Sequence, residues 1–164
     1  MTVWANSGET RKSFRRRYGE VIVLGSNITE ILREKGFKVT PQRLAIYKIL
    51  METSKHPTAE VIFGELQSQY PTMSLATVYK TIEVLKEMGL VSSLNVGEDS
   101  FRYDANMEPH IHMICQECNE VTDLFGMDLS ALNAAAEEKS GYQVVEHQVY
   151  LYGSCAECIR RRAN

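Results

Sequence analysis

Apolar positions recur every three to four residues from Ser26 to Gly89 and in short alternating runs beyond it, so the chain reads as helices first and strands afterwards. Ile28, Ile31 and Leu32 share one face of a first helix that Gly36 ends. Thr40-Pro41 opens a second helix. The threonine hydroxyl can cap it, and the proline suits a first turn where no N–H is needed. Leu44, Ile46, Tyr47, Ile49 and Leu50 then supply a buried stripe. Thr58 repeats the cap for a third helix with Val61, Ile62 and Leu66 inward, and Ser74 opens a fourth, Leu75 to Met88, which Gly89 terminates.

Two β-like runs, 90–96 and 101–104, flank the turn-like residues 97–100 and predict a hairpin. Helices followed directly by a hairpin is the order of a winged helix-turn-helix. Further on, His110 to Cys115 and Val121 to Phe125 are β-like and Asp128 to Lys139 is helical. Tyr142 to Tyr152 is β-like again, with Val145, His147, Val149 and Leu151 on one face. The expected fold class is α+β. Residues 26–104 would form a winged-helix unit, 105–109 a hinge and 110–164 a second α/β unit. Residues 1–25 carry the basic cluster Arg11, Lys12, Arg15, Arg16 and Arg17 without periodicity and are expected to form a mobile arm, either a solvated tail or a phosphate-contacting extension.

Composition narrows the class. A chain of 164 residues, 44% hydrophobic and 24% charged, has the make-up of one or two compact domains. No stretch approaches the roughly 18 apolar residues of a membrane span, and the N-terminus has no secretory pattern, so a cytoplasmic protein is expected. A net charge of -3 argues against indiscriminate nucleic-acid binding and leaves the decision to local charge.

The four cysteines stand as two CxxC pairs, Cys115 and Cys118, then Cys155 and Cys158. A CxxC turn offers two sulfurs to one ion, and two such turns close a tetrahedron, so a structural Zn2+ site is expected. Redox chemistry of the thioredoxin type would need one CxxC at a helix start rather than two matching pairs. A second set is harder in character: His56, Asp104, His110, His112 and Asp123. His110 and His112 point to the same side of a strand, and the rest can meet them only in the fold. Three imidazoles with two carboxylates suit Fe(II), Mn(II) or Zn(II). Spacing alone fits equally well with structural histidines beside hairpin-end aspartates.

Several motifs together resemble the ferric uptake regulator family of metal-dependent bacterial repressors. They are Thr40-Pro41-Gln42-Arg43, His56-Pro57-Thr58-Ala59-Glu60, Ser74-Leu75-Ala76-Thr77-Val78-Tyr79, His110-x-His112-x-x-Cys115-x-x-Cys118 and Cys155-x-x-Cys158, spread from Ile28 to Cys158. Asp at both 104 and 123, where the iron-uptake branch typically has Glu, makes the chain look most like the peroxide-sensing branch. The resemblance implies a winged-helix domain, a C-terminal dimerisation domain and a regulatory Fe2+ or Mn2+ on His56, Asp104, His110, His112 and Asp123. It also implies peroxide-driven oxidation of His56 and His110. The expected function is therefore a homodimeric repressor, not an enzyme, that binds operator DNA carrying an inverted repeat when metal-loaded and is released by peroxide.

In a winged helix the recognition helix, here Ser74 to Met88, enters the major groove. Ser74, Thr77 and Tyr79 would meet base edges and Lys80 a phosphate, with Arg43 added by resemblance. Pro109 and Ile111 cannot ligate where some family members build a further metal site, so His147 is expected to be a polar β-strand histidine. The alternatives are a regulator responding to metal concentration, a non-haem metalloenzyme on the same five ligands, and a cysteine-based redox regulator.

Overall fold

The structure, a computed structural model, describes residues 26–97, 101–145 and 147–163; the basic cluster of residues 11–17 and the hairpin tip 98–100 lie outside them. Four helices come first: α1 (Ser26–Glu34), α2 (Pro41–Glu52), α3 (Ala59–Leu66) and α4 (Leu75–Glu87). Three of them begin on a hydroxyl that accepts a backbone N–H two or three positions into the helix. Thr40 takes that of Arg43, Thr58 that of Val61 and Ser74 that of Thr77. Each such cap contributes about 1 kcal/mol and fixes where the helix starts. Gly89, at φ +68, lets the chain turn left-handed after α4, a conformation that costs a residue with a Cβ.

The helices close around Ile31, Leu32, Ile46, Leu50, Ile62, Val78, Ile82 and Leu85, and the same core takes in Tyr103 from the hairpin and Ala105 just after it. Val61 departs from the inward position its apolar character suggested and is 48% exposed. On an eight-residue helix Ala59, Ile62 and Leu66 already fill the inward face at spacings of three and four, which turns residue 61 outward.

The hairpin is β1 (Ser92–Asn95) paired antiparallel with β2 (Phe101–Asp104), with Ser92 opposite Asp104. A second sheet has the order β4-β3-β5, made of β3 (Ile111–Cys115), β4 (Val121–Leu124) and β5 (Val149–Gly153). β3 runs antiparallel to β4 and parallel to β5. Helix α5 (Ser130–Ser140) lies between β4 and β5 in the chain, and α6 (Ala156–Ala163) follows β5. Leu94 and Val96 of the hairpin pack on Ile114, Val121 and Tyr150, so the hairpin touches both the helical core and the second sheet.

Two expectations shift here. Helix α5 starts at Ser130, because Asp128 stands outside it and accepts the Ser130 N–H at 2.8 Å as a local turn. The strand expected over residues 142–152 is ordered as strand only from Val149. Its partner β3 begins at Ile111, the residue opposite Val149, and leaves nothing for earlier residues to pair with. His147 therefore precedes the strand instead of lying in it, and its Nδ1 meets the Asn133 amide at 3.2 Å.

Candidate metal centres

The cysteine pairs meet where β3 and β5 end. Cys115 closes β3, and Cys155 lies between the end of β5 and α6. Cys115 Sγ lies 3.9 Å from Cys158 Sγ, and Cys118 Sγ lies 3.8 Å from Cys155 Sγ. A disulfide needs about 2.05 Å, so these are not bonds between sulfurs. A tetrahedron with vertices about 2.3 Å from its centre has edges of about 3.8 Å, the geometry of a zinc tetrathiolate.

Charge points the same way. Backbone N–H groups of Cys155, Cys118 and Glu117 face Cys115 Sγ and draw its pKa down to about 6, while the neighbouring Cys155 sulfur and then burial push Cys158 up to about 12. Four thiolates this close ionise together only around a cation.

The second set converges as well. His56 comes from the loop between α2 and α3, Asp104 from the end of β2, and His110 and His112 from the start of β3. Asp123 of β4 stands directly across from His112 in the ladder. His110 Nε2 lies 2.9 Å from His112 Nε2, 3.2 Å from Asp104 Oδ2 and 3.4 Å from Asp123 Oδ1. His56 Nε2 lies 2.9 Å from Asp123 Oδ1 and 3.8 Å from Asp104 Oδ2. An ion about 2.1 Å from each ligand separates ligands at right angles by about 3.0 Å and those at 120° by about 3.6 Å, close to the 2.9–3.8 Å observed.

Protonation also favours a cation. The Glu108 carbonyl can only accept, so His110 Nδ1 carries the proton it donates at 2.6 Å and the Nε2 lone pair is left facing the cluster. Burial lowers the pKa of His56 against the pull of Asp123 and Asp104, which keeps that ring neutral. Burial raises Asp104, but the His112 hydrogen bond, the Asn106 N–H and the attraction of the His56 and His110 rings together outweigh it and hold the carboxyl below its ordinary value. Both ring nitrogens of His56 and Oδ1 of Asp123 are buried without a hydrogen bond among the described residues. Buried polar atoms without hydrogen bonds, aimed at one point, fit a divalent ion.

The expected DNA-contacting side chains sit elsewhere. Ser74 and Thr77 hydroxyls lie 3.0 Å apart at the start of α4, where Ser74 also caps the helix. Tyr79 is 41% exposed on α4, and its hydroxyl donates to Glu60 Oε1 at 2.6 Å; Lys80 is exposed beside it. Arg43, on α2, is occupied locally. Its guanidinium donates to the Lys38 carbonyl at 2.6 Å and lies 5.9 Å from the Phe37 ring centre.

Three neighbours of these sites escaped the sequence reading. Arg102 donates to the His56 carbonyl at 3.2 Å, and Tyr150 stacks on His112 at 5.8 Å. Glu60 anchors Tyr79. Arg102 shares the face of β2 that carries Asp104, two residues on, and that periodicity was the one available signal.

Comparison with known proteins agrees with this arrangement. The chain is 38% identical over 132 residues to the peroxide operon regulator of Bacillus subtilis, covering 80% of this chain and 91% of that one. It is 36% identical over 127 residues to the peroxide-responsive repressor PerR of Staphylococcus aureus, covering 77% and 86%. The crystal structure of the Campylobacter jejuni peroxide stress regulator superposes with a TM-score of 0.66 at 36% identity, over 80% of this chain and 98% of the other. Residues 34–152 match the model of the Ferric uptake regulator family, and with those relatives the chain belongs to that family.

Proposed function

We propose that the protein is a dimeric, metal-dependent transcriptional repressor that holds operator DNA when its His/Asp centre carries Fe(II) or Mn(II), and releases it when peroxide oxidises a ligand histidine. The observation that carries this reading is the convergence of His56, Asp104, His110, His112 and Asp123 from both the helical and the sheet parts of the chain. Cys115, Cys118, Cys155 and Cys158 would hold a structural Zn(II) that ties β3 to β5 and α6.

The ligands act as a clamp. His56 and Asp104 are attached to the helical core and hairpin, and His110, His112 and Asp123 to the second sheet, so gathering all five selects one relative placement of the two parts. Moving from mostly released to mostly bound takes a differential affinity on the order of 3 to 5 kcal/mol. The winged-helix unit would span residues 26–104, the hinge 105–109 and the dimerisation unit 110–164. Leu151 of β5 and Met113, opposite it on β3, are both exposed on one side of the sheet and would supply apolar surface for a second copy. Two copies related by a two-fold axis would present α4, with Ser74, Thr77, Tyr79 and Lys80, to the halves of an inverted repeat, with Arg43 contributing from α2.

Fe(II), held by these five residues, would supply the first electron that splits the peroxide O–O bond. Over the whole step one peroxide oxygen goes to a ring carbon and the other leaves as water, so the two electrons come net from the imidazole. His56 and His110 are the rings we assign to take up the oxygen. An oxidised imidazole loses the basic lone pair that ligates, the two parts lose their common anchor, and the repressor is released. No helix among the described residues is long and apolar enough to cross a membrane, and we place the protein in the cytoplasm as a regulator rather than an enzyme.

The test is to expose iron-loaded and manganese-loaded protein to micromolar peroxide and map added oxygen by peptide mass spectrometry. We expect one oxygen on the peptide bearing His56 or His110 in the iron form alone. Equal behaviour of the two forms would instead make the protein a sensor of metal concentration. Oxidation confined to cysteines, with loss of zinc, would move the sensing to the thiolates.

A further inference from the structure

His56 adopts a backbone conformation that its neighbours in sequence oppose. Its φ is +48, in the left-handed region that residues with a Cβ rarely occupy, and the proline at 57 restricts the residue before it further, toward extended backbone. Something outside the segment must hold it there.

The other two ligand rings are held through the ring itself. His110 donates its Nδ1 proton to the Glu108 carbonyl, and His112 lies stacked on Tyr150. The His56 ring meets only the cluster itself, the edge of His112 at 5.3 Å and Asp123 Oδ1 at 2.9 Å, while its Nδ1 is buried without a hydrogen bond among the described residues. Outside the cluster, its direction is therefore set by its backbone. That backbone is tied to β2 at two adjacent points. Arg102 Nη1 donates to the His56 carbonyl at 3.2 Å, and the Tyr103 N–H donates to the Pro57 carbonyl at 3.1 Å. The Arg102 side chain holds this place although its Nε is buried without a hydrogen bond among the described residues. Two residues on, from the same face of the same strand, Asp104 supplies its carboxylate to the cluster.

We infer that Arg102 is a positioning residue for the regulatory metal centre, holding His56 in its left-handed conformation so that Nε2 meets the ion. β2 thus grips the site twice, directly through Asp104 and through the His56 carbonyl by way of Arg102. The inference rests on the assignment of His56 as a ligand, and a double-mutant cycle separates the two claims.

Mn(II) binding to zinc-loaded full-length protein is measured for wild type, Arg102→Ala, His56→Ala and the double variant, by the electron paramagnetic resonance of free Mn(II). Zinc content of each variant confirms that the chain has folded, and Arg102→Lys, which keeps one donor, serves as the conservative rescue. Loss of a residue that orients a metal ligand lowers affinity by about 10- to 100-fold, so we expect that range for Arg102→Ala and most of the affinity back in Arg102→Lys. In the His56→Ala background, removing Arg102 should change nothing further, because the residue through which it acts is gone. The visible spectrum of bound Co(II) should shift in the same sense for both single variants, as expected when one imidazole leaves the ion. Additive losses in the double variant, wild-type affinity in Arg102→Ala, or no recovery in Arg102→Lys would each overturn the assignment. Wild-type Mn(II) affinity in His56→Ala would overturn the ligand set itself, and this inference with it.

Discussion

The Tyr79 hydroxyl donates to Glu60 Oε1 at 2.6 Å, joining α4 to the first turn of α3 through two side chains that are both open to solvent. The bond holds the carboxyl of Glu60 below its ordinary pKa and the phenol of Tyr79 above its own, so at neutral pH the pair is a carboxylate and an intact O–H. With its proton committed, the Tyr79 oxygen is left as an acceptor toward anything in the groove, and the acid beside it repels phosphate.

Glu60→Ala should therefore relax DNA discrimination. Freed from the carboxylate, Tyr79 loses its fixed orientation while the face loses a negative charge, so operator affinity falls and affinity for random duplex rises. The ratio of the two should drop by about fivefold, the equivalent of one ordinary hydrogen bond of about 1 kcal/mol. Fluorescence anisotropy at one salt concentration, with an operator selected from random-sequence DNA by the manganese-loaded protein, gives the ratio. An unchanged ratio would mean that Glu60 merely caps the space between the helices.

Lys80 neighbours Tyr79 on the exposed side of α4 and calls for a different signature. As a phosphate contact it should weaken operator and random DNA alike on change to Ala, and reduce the slope of log K against log salt by about 0.9 for each copy. A selective loss for the operator would place Lys80 on a base edge instead.

Much of this was legible in the residues because the signals were local. Thr40, Thr58 and Ser74 announce their helices by chemistry confined to one turn, and all three cap as expected. The CxxC spacing and His110-x-His112 each predetermine which side chains can share a point. What stayed hidden depended on register between segments far apart in the chain. Tyr150 lies beside His112 only because β5 runs parallel to β3 in one register, and Arg102 reaches the His56 carbonyl across 46 positions. Arg43 shows the converse: a motif residue whose side chain the fold turns onto the Lys38 carbonyl.

Removing one sulfur should cost the whole C-terminal unit. Cys118→Ser replaces a thiolate with a hydroxyl that stays protonated, leaving three thiolates crowded around a poorly held ion. Structural zinc contributes about 10–16 kcal/mol in small zinc-dependent folds, comparable with the entire stability of a typical domain of about 5–15 kcal/mol. Zinc should fall from about one per chain toward none, and sedimentation should show loss of the dimer. A stable dimer without zinc would deny the ion its structural role.

With zinc in place but no metal on the histidines, stability should depend on pH through His56. Burial depresses its pKa below the unfolded value near 6.5, so between those two values the unfolded chain binds the proton that the folded chain refuses. Stability is then greatest above pH 6.5 and falls as pH drops through that window, by at most about 1.4 kcal/mol per pH unit for the one group. Asp104, held low, keeps its contribution until more acidic conditions protonate it. Urea unfolding at stepped pH measures the slope, and His56→Gln should flatten it. A slope that survives this change would assign the titration to another group.

Leu94 offers a way to test whether the hairpin carries the metal signal. It is 1% exposed and packs with Val96 against Ile114, Val121 and Tyr150, so that the ring stacked on His112 also bears on the hairpin. Leu94→Ala should lower unfolding free energy by about 2–5 kcal/mol, the range for emptying such a site. It should also shrink the factor by which Mn(II) raises DNA affinity, because the ligands would still gather while the hairpin followed them less closely. Linkage requires that DNA then strengthen Mn(II) binding by the same smaller factor, and measuring both directions guards against a trivial loss of folded protein. A full metal effect on DNA in a destabilised Leu94→Ala protein would show that the hairpin packing supports the fold and transmits nothing.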